Sequence, residues 1–269
     1  MTITTFLTIS AFISLLPASI LPFSRPPARD AIFWLVLFVA ISGPAVWVAA
    51  SFGSAWRIGL GQSLWLTVAI TLILFGTLSL AMRDLWRLAP LLFPYMLIIA
   101  LFATLWLHPT GRPLVQLPPT VWVQFHIIIS VITYGLLTIG AISGCAVVIQ
   151  ERALKRKRPG RLVRMLPSVV DGERIQVSLL SCGGLVLGCG LLSGMAAEYF
   201  KSGYLIDLNH KTTLSLMTFT VIVTLLIVHA KTGIRGRRAA RYFLAAYLLI
   251  TLAYPGVKFV TDVILSRYG

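Results

Sequence analysis

Residues 121–164 read VWVQFHIIISVITYGLLTIGAISGCAVVIQERALKRKRPGRLVR. The first part, 121–150, carries no Lys, Arg, Asp or Glu, and it runs straight into a cationic block. A bilayer core is crossed by about 20 helical residues at about 1.5 Å each, so the uncharged run is long enough to span it. The cationic block then sets direction, because Lys and Arg stay on the cytoplasmic side. One histidine, His126, lies about a turn and a half into the apolar run. An imidazole in hydrocarbon costs free energy, which makes it a candidate functional residue.

The rest of the chain has the same character. Of its 269 residues, 58% are apolar and only 12% charged, about half the charge of a typical soluble domain. The net charge of +15 does not point to nucleic acid, because the cations sit in short loops between apolar runs. Cys145, Cys182 and Cys189 all fall in apolar runs, with no CxxC or CxxCH spacing for a metal or a covalent haem. The N-terminal apolar run lacks a positive leader and is read as a retained span.

Hydropathy and breakers place eight spans, at about 3–21, 31–51, 61–82, 88–107, 121–150, 176–197, 211–231 and 238–261. The fold class expected is therefore all-α, a polytopic membrane protein of eight transmembrane helices. The loops after spans one, three, five and seven hold 2, 2, 8 and 5 of the 23 Lys and Arg residues, 17 in all. Those loops are placed in the cytoplasm and both termini outside. Two parts are expected, 1–118 with spans one to four and 119–262 with spans five to eight. Between spans five and six, the segment 151–175 starts as a basic run suited to anionic lipid. From Arg161 to Ile175 it interleaves Leu162, Val163, Met165, Leu166, Val169 and Val170 with charges, the pattern of an interfacial helix. Span six is rich in glycine: Gly184 with Gly188, and Gly190 with Gly194, each make a GxxxG that lets helix backbones approach closely.

The four histidines sort by depth. His108, His126 and His210 lie towards the outer face and His229 near the inner one, so that His126 and His229 differ by roughly 20 Å. They cannot share a metal, since Zn–N bonds are about 2 Å. Imidazole is a common metal and axial haem ligand, and His126 with either His108 or His210 is the pairing whose depths match. Trp122 lies one turn before His126 on the same helix face and Tyr134 two turns after it; both suit a flat cofactor, an aromatic belt or core packing. No acidic residue sits in mid-span, and no P-loop, HExxH or dinucleotide fingerprint is present, so no enzyme constellation emerges.

Several of these features together resemble the cytochrome c assembly integral membrane family, the CcsA/ResC/CcmC group, and within it the short eight-span HemX/YpjD-like branch. They are Trp122 to His126 opening a span, Tyr134, Gln150–Glu151–Arg152 before a basic run, Leu166–Pro167–Ser168, and the glycine-rich span. His229 ahead of Gly236–Arg237–Arg238–Ala239, and Tyr254–Pro255–Gly256, complete the set. The resemblance implies handling of haem b at a bacterial cytoplasmic membrane, with His126 and His229 matching family histidines. It also implies partners among the lipid bilayer, haem and other cytochrome assembly or membrane proteins, and no nucleic acid. The chain departs from the family at one informative place. All seven tryptophans lie between Trp34 and Trp122, so the 198–210 loop, EYFKSGYLIDLNH, lacks the tryptophan-rich haem-presenting motif. An auxiliary or regulatory haem-binding member is therefore expected rather than a synthase. A regulatory subunit without haem, docking a partner through 151–175, and a small-solute transporter remain as alternatives.

Overall fold

The computed structural model describes residues 3–25, 28–54, 57–107, 112–113, 121–157, 160–203, 210–232, 236–252, 256 and 259–260. The described chain is helical apart from short links and one two-residue ladder. In order it forms α1 (Ile3–Ser24), α2 (Ala31–Ser54), β1 (Arg57–Ile58), α3 (Leu60–Ala81), a 3-10 turn (Leu85–Leu88) and α4 (Ala89–Leu105). Then come β2 (Arg112–Pro113), α5 (Val121–Arg156), α6 (Arg161–Met165), α7 (Val169–Ser202), α8 (His210–Thr232) and α9 (Arg237–Thr251).

Seven of these helices are long and apolar enough to cross a membrane. The eighth expected span falls on α9, of which 15 residues are described. Three arginines, Arg237, Arg238 and Arg241, occupy its first turns, so the apolar part of the described helix is short.

The helices close into two four-membered rings. In the first, α1 packs on α2 and α4, and α3 on α2 and α4. In the second, α5 packs on α7 and α9, and α8 on α7 and α9, which sets α5 and α8 across the ring from each other. The α5–α7 contact is the most extensive in the molecule, and α5 also packs on α3. Successive faces of α5 serve the two rings: Leu136 and Ile139 join the core of α1–α4, whereas Tyr134, Leu137 and Ala141 join Leu180, Ile222 and Phe243.

In lipid, apolar burial gives little drive, so close packing and polar contacts between helices hold such a bundle. Gly140 shows this directly: a Cβ there would stand 2.5 Å from the Phe243 ring, so α9 rests on bare α5 backbone. Nearby, Tyr95 of α4 and Tyr247 of α9 share a hydrogen bond of 2.7 Å, and Tyr247 donates to Tyr134 of α5 at 3.2 Å. Tyr134 is thus core packing between the rings.

The connecting segments alternate between two ends of the molecule. At one end, Arg25, Trp86, Arg87 and Met165 surround a common crevice, bringing together the links that follow α1, α3 and α5. Glu151 and Glu173 meet the start of α9 at that same basic end. The links after α2 and α4 meet separately, where Arg57 pairs with Pro113 and Ile58 with Arg112.

The interfacial helix expected over Arg161–Ile175 is not one helix. The helix α6 stops at Met165, and Leu166 is extended with φ −73° and ψ 157°, the conformation that a following proline imposes. Ser168 then caps α7, its Oγ accepting from the Asp171 N–H at 3.2 Å, with Asp171 in the first turn. Met165, Leu166 and Ile175 are buried in the bundle. The segment is therefore a tight reversal folded under the bundle, and α7 begins two turns earlier than the apolar run suggests.

Candidate functional site

His126 stands near the start of α5, half-buried against α7. Its Nδ1 lies 3.0 Å from the Gly190 carbonyl oxygen and 3.2 Å from Ser193 Oγ. Ser193 Oγ itself donates to the Gly190 carbonyl at 2.9 Å. A carbonyl only accepts, so the bond to Gly190 requires the proton on Nδ1. In the neutral ring, Nε2 is then the nitrogen that carries the lone pair. An imidazole fixed by Nδ1–H to a backbone carbonyl is the form in which histidine binds metals.

The glycines of α7 make this placement possible, and they divide between two neighbours. A Cβ at Gly190 would stand 3.1 Å from Ile129 Cγ2, and one at Gly194 would stand 3.0 Å from His126 Cε1, so this pair receives α5. A Cβ at Gly184 would stand 2.9 Å from Ile222 Cγ2, and one at Gly188 would stand 3.3 Å from the Phe219 ring, so the other pair receives α8. The two GxxxG pairs are thus used for packing within the bundle, and the imidazole itself occupies the space at Gly194.

The same register locates the other histidines. Gly188 lies level with Phe219 and Gly184 with Ile222. Continued upwards, it sets the backbone of His210, the first residue of α8, about one turn, ~5 Å, beyond the level of Gly194. His126 and His210 therefore belong to the same end of the α5–α7–α8–α9 ring, on helices that face each other across it. The side chains of His210 and Trp122, and all of His108, lie outside the described residues.

His229 is far away. It lines a second crevice with Gln176, Leu180, Leu226, Tyr242 and Phe243, between α7, α8 and α9. Gln176 and Leu180 lie about 20 Å down α7 from Gly190 and Gly194. The structure thus separates His126 from His229, as their depths in the sequence require. Among the described residues no group of three His, Cys, Asp or Glu side chains gathers to hold a metal ion, so any metal at His126 would need a ligand that is part of a larger cofactor or lies beyond those residues.

A family model described as cytochrome C assembly protein matches residues 57–265. The chain belongs to the cytochrome c assembly protein family. It is 48% identical over 264 residues to the "Uncharacterized 28.8 kDa protein in nifR3-like 5'region" of Azospirillum brasilense, covering 96% of this chain and 97% of that one. It is 26% identical over 179 residues to the "Inner membrane protein YpjD" of Escherichia coli K12, covering 66% of each. The family match takes in α3 and α4 as well as the second ring.

Within this family member, a polar set at the basic end has no assignment from the sequence. Gln150 Nε2 lies 2.8 Å from the Val163 carbonyl and 3.0 Å from that of Pro167, holding the reversal after α6. Glu151 Oε1 accepts from the Arg237 N–H at 2.9 Å, and Glu173 Oε1 accepts from the Gly236 N–H. Two carboxylates, from α5 and α7, thus cap the start of α9, where orphan N–H groups and the helix dipole favour negative charge. Gly236 has φ +66° and ψ −144°, a region open to glycine alone. Gln150, Glu151 and Gly236 stand out only as parts of the family resemblance; the partnership of Glu173 with Gly236, 63 residues apart, has no local signal.

Proposed function

We propose that this cytochrome c assembly family member is a haem-binding protein of a bacterial cytoplasmic membrane. In this reading it serves as an auxiliary or regulatory factor in cytochrome c biogenesis, with no synthase activity. The observation that carries the reading is His126. Its Nδ1 is committed to Gly190 at 3.0 Å, which leaves Nε2 as the nitrogen able to meet iron. With His126, the residues that would hold the group are His210, whose helix stands across the ring at nearly the same height, or His108, with Trp122 beside it. The group is haem b, because the chain has no CxxCH for covalent attachment. Haem would supply redox chemistry there; the chain supplies an imidazole oriented through Nδ1.

The membrane arrangement completes the reading. Eight spans, with α9 as the core of the last, put both termini outside and the basic end in the cytoplasm. Residues 1–118 then form a supporting ring and 119–262 the haem-handling ring. Lipid, haem and other assembly proteins are its partners.

Purified protein, titrated with hemin in neutral detergent, tests this. The expected result is a Soret band saturating at one haem per chain, lost in His126→Ala and weakened in His210→Ala, while His229→Ala keeps it. A preparation that gives no Soret band with hemin, or a band indifferent to His126→Ala, overturns the reading.

A further inference from the structure

The crevice at the basic end belongs to neither histidine. It is a half-open groove with about 40 Å3 of free space, lined by Leu21 and Pro22 of α1, Phe33 of α2, Ala89 and Pro90 of α4, and Met165. Arg25, Asp30, Trp86 and Arg87 line it too, and exposed Ala28 lies at its edge. Its lining is apolar with guanidinium groups at the rim, the pattern that suits an amphiphile carrying an anionic head.

Three observations narrow the occupant. The rim cations are only partly answered by the protein. Arg25 pairs with Asp30 at 2.5 Å, but Arg87 Nε approaches Asp84 Oδ1 only to 3.6 Å, too long for a hydrogen bond. That Nε is closed to solvent, so an anion would meet the terminal N–H groups of Arg87, whose side chain is otherwise 40% exposed. Phosphate matches the guanidinium fork. The second observation is level. The crevice lies at the ends of α1, α2 and α4, beside Trp86 and beside Trp34, over whose ring Arg29 sits at 5.3 Å. Tryptophan and arginine together mark headgroup depth. The third is charge. The links 25–30 and 83–87 hold Arg25, Arg29, Arg83 and Arg87 against Asp30 and Asp84. A zwitterionic headgroup would bring its own cation against these arginines, and a soluble anion would leave the apolar lining unused.

We propose that this crevice binds one anionic phospholipid, its phosphate on the guanidinium groups of Arg87 and Arg25 and an acyl chain between α1, α2 and α4. The lipid would lie between the first ring and the reversal at Met165. This is independent of whether His126 holds haem.

The test uses the full chain, delipidated in neutral detergent and titrated with phosphatidylglycerol or phosphatidylcholine, with retained lipid counted by native mass spectrometry. Wild type retains one phosphatidylglycerol in preference to phosphatidylcholine. Arg87→Gln weakens that retention about tenfold, the weight of one charge-assisted hydrogen bond. Arg87→Lys, which keeps the charge but loses the planar fork of donors, falls with Arg87→Gln, and Arg83→Gln, which changes a cation outside the crevice lining, leaves retention unchanged. Ala28→Trp fills the edge from an exposed link and removes retention by blocking the crevice, which serves if the Arg87 variants do not fold. Equal retention of the two lipids overturns the proposal. So does equal loss in Arg83→Gln and Arg87→Gln, which means surface charge only. Competition by inorganic phosphate at the affinity of the lipid also overturns it, because that describes an anion site without a chain.

Discussion

The α5–α7 pair has polar side chains at both ends, and they are used differently. At the basic end, Gln150, Glu151 and Glu173 all give their polar atoms to backbone groups of other segments. At the other end, His126 gives one nitrogen to Gly190 and keeps the second. The first arrangement ties side chains to backbone groups and so fixes α9 and the reversal after α6. The second fixes a ring and leaves a lone pair over. Helix pairing in a bilayer can thus be secured at one end by side chains bonded to backbone, which frees the other end for chemistry. If that contrast is right, substitutions at the basic end should damage stability, and those at the His126 end should damage binding.

Gly236→Ala should give the largest loss of stability. The residue holds a positive φ of +66°, and its Cβ would collide with the Glu151 carboxylate. A cost of about 3 kcal/mol is expected from the strained backbone and the displaced cap together. Thermal unfolding followed by tryptophan fluorescence measures it. A wild-type transition in Gly236→Ala would mean that α9 starts elsewhere.

Glu173→Ala comes next, at about 1–2 kcal/mol for a charge-assisted bond to an orphan N–H. Glu151→Ala should cost a similar amount. The two caps serve adjacent N–H groups, so the double variant should cost less than their sum, and a double-mutant cycle reads the coupling. Strict additivity would mean that each carboxylate acts alone.

How far the sequence shows these features depends on the kind of signal. The spans are legible because a bilayer demands about 20 apolar residues in a row. His126 is legible because an imidazole is costly in hydrocarbon and stands out in a run with no charged residue. The 161–175 segment misleads because amphipathic spacing alone cannot tell a helix on a leaflet from a reversal. Pro167 followed by Ser168 and Asp171 holds the correction: a break, a cap and an acid in the first turn. The carboxylate caps are illegible in principle, since nothing local in Glu173 reports a partner 63 residues away. The division of the α7 glycines is half legible. Spacing gives two pairs, but which helix meets which pair is a fact of the tertiary register.

Asp30 sharpens the comparison by its small size, since it is a cap that faces water. The Phe33 N–H, at 3.0 Å, and Arg25, at 2.5 Å, hold its carboxyl below the usual carboxylate range. A depressed carboxylate stabilises the fold above its unfolded pKa and loses that contribution as pH falls through the lower folded value. The capped start of α2 should therefore persist to pH below 3.8, the ordinary Asp value, and Asp30→Asn should lose this small contribution at neutral pH and flatten the acid limb, the two proteins converging at low pH. Exposed pairs contribute little and are screened by salt, so the Asp30→Asn difference should shrink at high ionic strength. The Glu173→Ala loss should not, because its partner is a backbone N–H at the buried residue Gly236. Equal salt sensitivity of the two variants would remove the distinction between a cap that fixes the bundle and one that only decorates its rim.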